Sequence, residues 1–216
     1  MTRRLRVGVL ASGSGTNLQA ILDACREGRV SAEVVLVLSN KPDAGALDRA
    51  RRAGVPAEAV PSKGLTREAH EEELIARLDA HQVDLVCLAG YLRLLTPRFI
   101  GHYRGRLVNI HPALLPAFPG LDSQRQALEY GVKIAGCTTH FVTEDVDAGP
   151  IILQAAVPVL EGDTEETLKA RILEQEHRIY PRTIQLIAEG RIRLEGRRVL
   201  TGSPPPGSRA LVNPEA

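Results

Sequence analysis

Over the first half of the chain, short β-branched or leucine-rich runs alternate with longer amphipathic stretches. This alternation is the pattern of β-α-β units. Strands buried on both faces read as continuous apolar runs, and the crossover helices carry one apolar stripe. Strands are predicted at Leu5–Leu10, Val34–Leu38, Asp84–Ala89 and Leu107–Ile110, and helices at Thr16–Glu27, Ala44–Ala53 and Thr66–Ala80. Gly28 ends the first helix, and Gly54, with Pro56 just beyond, ends the second. The fold class expected is α/β, a mostly parallel twisted sheet with helices on both faces and right-handed crossovers.

After Ile110 the pattern changes. His111-Pro112 opens a loop containing Pro112, Pro116, Pro119 and Gly120, and a loop so rich in breakers inside a compact domain is usually functional. Strand-like runs follow at Ile134–Thr143 and Ile151–Val159, then a helix from about Thr164 to Ala188 that Pro181 is expected to interrupt. Arg191–Leu194 and Arg198–Thr201 resemble an exposed hairpin around Glu195-Gly196. The segment from Gly202 through Pro204, Pro205 and Pro206 to Ser208 lacks apolar content, and residues 202–216 are expected to form a mobile tail behind a single domain over 1–201.

Composition narrows the function classes. The 216 residues are 44% hydrophobic and 25% charged, which suits one ordinary globular domain. Charges nearly cancel, 27 basic against 26 acidic for a net +1, so no global field draws the chain to nucleic acid or an anionic membrane. An anionic ligand must be held by a local site. Cys25, Cys87 and Cys137 lie too far apart for a disulfide framework or a clustered zinc site, and a reducing, cytoplasmic setting is expected. No stretch is apolar and long enough for a membrane span.

Strand Leu5–Leu10 runs into Ala11-Ser12-Gly13-Ser14-Gly15-Thr16-Asn17-Leu18. Small residues there let backbone amides at a helix N-terminus approach a phosphate. A dinucleotide fingerprint is incomplete: Leu18 stands where a third glycine belongs, and the second strand runs into Ser39-Asn40-Lys41 instead of ending on an acidic residue. The bland alternative is a tight turn in which Ser14 or Thr16 merely caps the helix.

Asn109-Ile110-His111-Pro112 lies at the C-terminal end of a predicted buried strand, where open α/β sheets place ligands. In extended chain Asn109 and His111 point to one side while Ile110 enters the core. An amide donor and an imidazole converging on one spot can receive an oxyanion and manage one proton. His70, His81 and His102 are placed on helix or loop surfaces, and His140 and His177 are read as structural. Thr143, Glu144, Asp145 and Asp147 concentrate oxygen-bearing side chains in a loop closed by Gly149-Pro150. If Asp147 folds back beside His111, it favours the imidazolium; otherwise the loop is solvated surface.

Four stretches carry a resemblance: Ser12 to Gln19, Leu88-Ala89-Gly90-Tyr91-Leu92-Arg93, Asn109 to Pro116, and His140-Phe141-Val142 through Asp147-Ala148-Gly149-Pro150. Together they resemble the phosphoribosylglycinamide formyltransferase family, folate-dependent enzymes of purine biosynthesis, over about Arg6 to Leu200. The resemblance implies a Rossmann-like formyltransferase domain that moves a formyl group from 10-formyltetrahydrofolate, a co-substrate, to the amine of a phosphoribosyl glycinamide, with no metal. It implies that Asn109 and His111 stabilise a tetrahedral oxyanion while Asp147 holds His111 charged. It places the substrate phosphate at Gly15, Thr16 and Asn17, and a further substrate contact at Glu176. It places the folate against Arg67, Leu92, Arg93, Leu94, Leu95, Asn109 and the loop Thr143, Glu144, Asp145, Val146 and Asp147. Gln124 stands where the family commonly has a histidine and is given no role, and Thr138 replaces a serine, its hydroxyl still able to bind water.

Partners implied are small molecules, without nucleic acid or membrane, with a monomer or a homodimer both open. Methionyl-tRNA formyltransferase, formyltetrahydrofolate deformylase and sugar-amine formyltransferases share the Asn-x-His and aspartate set. The first is expected to carry an extra C-terminal domain and the second an extra N-terminal one, for which residues after Leu200 and before Arg6 leave no room. A non-catalytic nucleotide-binding module would use the first turn alone, and Asn109, His111 and Asp147 would then be superfluous.

Overall fold

The computed structural model describes residues 3–202; from residue 203 on, the expected tail lies outside the described residues. The alternation resolves into β1 (Leu5–Leu10), α1 (Thr16–Arg26), β2 (Ala32–Ser39), α2 (Gly45–Arg52), β3 (Ala57–Ala59), α3 (Arg67–Ala80), β4 (Leu85–Leu88), α4 (Pro97–His102) and β5 (Leu107–His111). Then come α5 (Ser123–Tyr130), β6 (Ile134–Phe141), β7 (Ile151–Pro158), α6 (Glu165–Ala188), β8 (Arg193–Glu195) and β9 (Arg198–Leu200). The main sheet has the order β3-β2-β1-β4-β5-β6-β7. From β3 to β5 neighbours pair parallel, whereas β6 runs antiparallel to β5 and β7 antiparallel to β6. Strand order reverses at β1 and β4, so the loops leaving those two strands flank the crevice where such sheets bind ligands.

Alternate residues of the parallel strands feed two cores. Val7, Val9, Cys87, Val108 and Ile110 pack with α1, α2 and α6 on one face, while Leu10, Leu36, Leu38, Val86 and Leu107 pack with α3 and α4 on the other. Two-sided burial is why these strands show no polar alternation in sequence.

The structure departs from the sequence pattern at several points. Strand β3 is Ala-Glu-Ala, without a β-branched residue to announce it. Helix α4 spans only six residues, started by the Thr96 cap and Pro97, too few to show a period, and α5, directly after the proline-rich loop, buries only Ser123 and Ala127 and so shows no apolar stripe. Helix α6 runs through Pro181 without interruption. Tyr180, Pro181, Thr183 and Ile184 are all buried there, and packing on both sides of the proline offsets its lost hydrogen bond. His70, expected on the surface, is buried, with Nε2 2.9 Å from the Val60 carbonyl.

Tyr180 fastens α6 to the sheet. Its buried hydroxyl lies 2.9 Å from the Leu88 carbonyl and 3.2 Å from the Val108 carbonyl, joining neighbouring strands β4 and β5. Tyr180→Phe removes that donor while keeping the ring. The expected loss is about 1–2 kcal/mol of unfolding free energy, read by urea denaturation; an unchanged midpoint would show that the hydroxyl contributes nothing net.

Candidate active site

The register between β5 and β6 sets the site. Asn109 lies opposite His140 and His111 opposite Thr138, and directly opposed side chains in an antiparallel pair share a face. Asn109 Nδ2 is 3.2 Å from His140 Nε2 and 3.5 Å from Asp147 Oδ1. His111 Nδ1 is 3.4 Å from Asp147 Oδ2, and its Nε2 is 2.8 Å from the Phe118 carbonyl. Thus Asp147, 38 residues from Asn109 in sequence, converges with Asn109 and His111. His140, read as structural, joins them, with Nε2 3.6 Å from Asp147 Oδ1.

Two loops close over this face. The proline-rich loop contributes the Phe118 carbonyl and the Gly120 N–H, which donates to Asp147 Oδ2 at 2.8 Å. Asp147 adopts φ 50°, a left-handed conformation that Asp tolerates better than most residues, and turns its carboxylate back over the sheet. Gly149 makes the return possible, because a Cβ there would collide with the Phe141 carbonyl oxygen. Arg197, in the turn between β8 and β9, donates to the Ala148 carbonyl at 2.8 Å, and Arg104 lies 3.8 Å from Glu144. The Thr138 hydroxyl donates to the Ala113 carbonyl at 2.6 Å and accepts from Leu115 N and Gln154 Nε2, each at 3.1 Å, bracing the loop after His111.

At the first turn Gly15 is the N-cap of α1, at φ 75°, and no side chain caps the helix, so Ser14 and Thr16 do not play that part. Amides of the first helical turn have no intrahelical acceptor and are free for an anion. Gly15 is also a packing requirement, since a Cβ would come within 2.6 Å of Ala46 Cα in α2. Arg49 donates to the Ser14 carbonyl at 2.8 Å and brings to the turn a positive charge that the motif does not reveal. Asn17 Nδ2 donates to Glu176 Oε2 at 2.7 Å, and Asn17 Oδ1 is buried without a protein partner. Burial pushes the Glu176 carboxyl up from its ordinary value.

The segment after β4 is tied at both ends. Ser12 Oγ accepts from Leu92 N at 2.9 Å and donates to Asn40 Oδ1 at 2.6 Å, while buried Glu71 accepts from the amide of Thr96 at 2.9 Å and from its hydroxyl. Arg93 donates to Ser62 Oγ at 2.7 Å. Between these ties Leu92 and Leu94 stand 61% and 55% exposed, and Val146, beside Asp147 in sequence, is 51% exposed. Such apolar area left in water suits a flat heterocycle. Leu95 packs partly on the second core, and Arg67 opens α3 at the surface, where no hydrogen bond or ion pair among the described residues ties it to the cluster. No group of three or more His, Cys, Asp or Glu side chains among the described residues is arranged to hold a metal ion.

The sequence matches the profile of the formyl transferase family over residues 5–184. It is 49% identical over 191 residues to the phosphoribosylglycinamide formyltransferase of Escherichia coli (strain K12), covering 88% of this chain and 90% of that protein. It is 51% identical over 191 residues to the trifunctional purine biosynthetic protein adenosine-3 of Drosophila melanogaster, covering 87% of this chain and 14% of that much longer one. The crystal structure of glycinamide ribonucleotide transformylase 1 from Symbiobacterium toebii has a TM-score of 0.91 at 60% identity, covering 93% of this chain and 95% of that one.

Protonation sets what the cluster can do. For Asp147 burial pushes the pKa up, but the nearby His140 ring, the Gly120 N–H that donates to it and the nearness of His111 more than reverse this, so its carboxyl titrates below the ordinary 3.8. For His111 burial is the largest influence and lowers the pKa below 6.5; Asp147 and the Phe118 carbonyl raise it, but by less. The resting pair is therefore a carboxylate beside a neutral imidazole. Nε2, closer to its acceptor, carries the hydrogen, and Nδ1 faces Asp147 ready to take another. Because folding favours neutral His111, its contribution to stability is present above 6.5 and is lost as pH falls from there through its folded value. NMR titration of the ring is expected to place its midpoint below 6.5, and Asp147→Asn to move it further down by removing the charge that raises it. A midpoint that rises in the variant would contradict this balance.

Proposed function

The chain belongs to the formyl transferase family, and on that premise we propose that it transfers the formyl group of 10-formyltetrahydrofolate to the amine of phosphoribosylglycinamide, a step of purine biosynthesis. The observation that carries this reading is the convergence of Asn109, His111 and Asp147 on one face, close to the crevice between the β1 and β4 loops. The catalytic residues proposed are those three. Gly15, Thr16, Asn17 and Glu176 receive the phosphorylated substrate, with Arg49 adding charge. Leu92, Arg93, Leu94, Leu95 and the Thr143–Asp147 loop receive the folate. Free Cys25, Cys87 and Cys137 support a reducing, cytoplasmic setting.

The folate co-substrate supplies an activated formyl carbon, which the substrate amine attacks. Asn109 and His111 Nε2–H receive the developing oxyanion, the imidazole exchanging the Phe118 carbonyl for a stronger, anionic acceptor. Asp147, ionised, takes the proton that leaves the attacking nitrogen and passes it, directly or through water, to the departing nitrogen. Positioning both reactants on a preformed face supplies the rest of the acceleration.

Purified protein is expected to form formylglycinamide ribonucleotide only when both glycinamide ribonucleotide and 10-formyltetrahydrofolate are supplied. Hydrolysis of the folate without amine transfer would sink the proposal in favour of a deformylase. Asp147→Asn is expected to lower kcat by roughly 10²–10⁴ with little change in the KM for folate; parallel losses in both would remove the proton-transfer role. Gly13, where an added Cβ would meet nothing within 4 Å, offers a cleaner phosphate test than Gly15. Gly13→Ala is expected to keep the unfolding midpoint and raise the KM for the phosphorylated substrate alone, and an unchanged KM would argue against phosphate at this turn.

A further inference from the structure

His140 is the buried group beside the reacting residues that the mechanism above leaves idle. It is 2% exposed, faces Asn109 across the β5–β6 ladder, and uses both ring nitrogens. Nδ1 lies 2.9 Å from the Phe141 carbonyl, which can only accept, so Nδ1 carries a hydrogen. In the neutral ring Nε2 is then a bare lone pair. Its neighbour within hydrogen-bond distance is the Asn109 amide at 3.2 Å; Asp147 Oδ1, at 3.6 Å, lies beyond that reach.

A lone pair repels an amide oxygen and attracts an amide N–H. Asn109 must therefore turn its NH2 group, not its carbonyl, toward His140. One hydrogen is held by Nε2, and the second, on a nitrogen 3.5 Å from Asp147 Oδ1, is loosely engaged and open to a stronger acceptor. Without His140, rotation of the amide by half a turn would exchange donor for acceptor at this point, placing a carbonyl oxygen where an oxyanion develops.

We infer that His140 is a positioning residue that fixes the Asn109 amide with its donor toward the reacting centre, through a tautomer dictated by the Phe141 carbonyl. The inference rests on the proposed role of Asn109 as an oxyanion donor. It differs from a packing role in acting on turnover through the orientation of Asn109, and from catalysis in that His140 touches no reacting atom.

The test combines kinetics and NMR on the full chain. His140→Leu is expected to lower kcat by about 10–10² while KM for both substrates changes by less than about threefold. His140→Gln, which offers an amide oxygen to accept from Asn109, is expected to recover part of that loss. In an Asn109→Ala background His140→Leu is expected to add less than about a further twofold, because the two act as one unit. Full additivity, or equal losses in kcat and KM, would overturn the inference. Long-range 15N correlation on the unsubstituted protein above neutral pH is expected to show hydrogen on Nδ1 and none on Nε2 of His140; the opposite tautomer overturns the inference without any variant. If the unsubstituted protein forms no formylglycinamide ribonucleotide, the functional reading fails by itself. The tautomer, and the loss in His140→Leu of a downfield Asn109 amide proton, then decide the positioning claim.

Discussion

The candidate site is organised around one carboxylate kept charged while nearly out of water. Asp147 is 12% exposed, and burial alone would favour its neutral form. The Gly120 N–H, at 2.8 Å, and the surrounding rings of His111 and His140 reverse that preference. These compensating groups arrive from the proline-rich loop, from β5 and from β6. Each loop conformation near the site answers to that charge: the left-handed turn at Asp147, the Cβ-free close approach at Gly149, and the path that aims Gly120 N inward. An uncompensated anion here would cost several kcal/mol, comparable with the whole margin of a typical domain.

The change of strand direction after β5 makes this grouping possible. In the parallel half, catalytic side chains come mainly from loops beyond the strand ends. Where β6 turns antiparallel, a second strand lays its side chains beside those of β5, so a ring in β6 becomes a neighbour of Asn109. The loop between β6 and β7 then needs only to fold back to bring Asp147 over the same face.

That register explains what was and was not legible in the sequence. Strand β1 and helix α3 lie almost where periodicity puts them, because long, doubly buried or amphipathic stretches advertise their period. Strand β3 and helix α4 are too short to do so, helix α5 buries only Ser123 and Ala127, and the uninterrupted path of α6 through Pro181 depends on packing partners remote in sequence. Asn109 and His111 could be grouped because alternation within one strand is a local rule. His140 could not: its place beside Asn109 follows from pairing across 31 residues, which no local pattern records. Arg49 was hidden for a similar reason, since only the packing of α2 against Gly15 brings it to the first turn.

The near-neutral charge gains a sharper meaning from these contacts. With a net +1 spread over the chain, a phosphate at the first turn would depend on nearby groups, among them the helix amides and Arg49. Yet Glu176, a buried acid, reaches the same turn through Asn17. Burial already pushes the Glu176 carboxyl toward its neutral form, and an anion bound beside it would push it further, so the turn has a polarity. On the proposed reading its amide end takes the anion, and its Glu176 end, where Asn17 Oδ1 has no protein partner, accepts hydrogen-bond donors. The phosphorylated, hydroxyl-bearing substrate proposed above, with its phosphate at one end and donor groups beyond it, meets that polarity where a bare phosphate or a long polyanion would not.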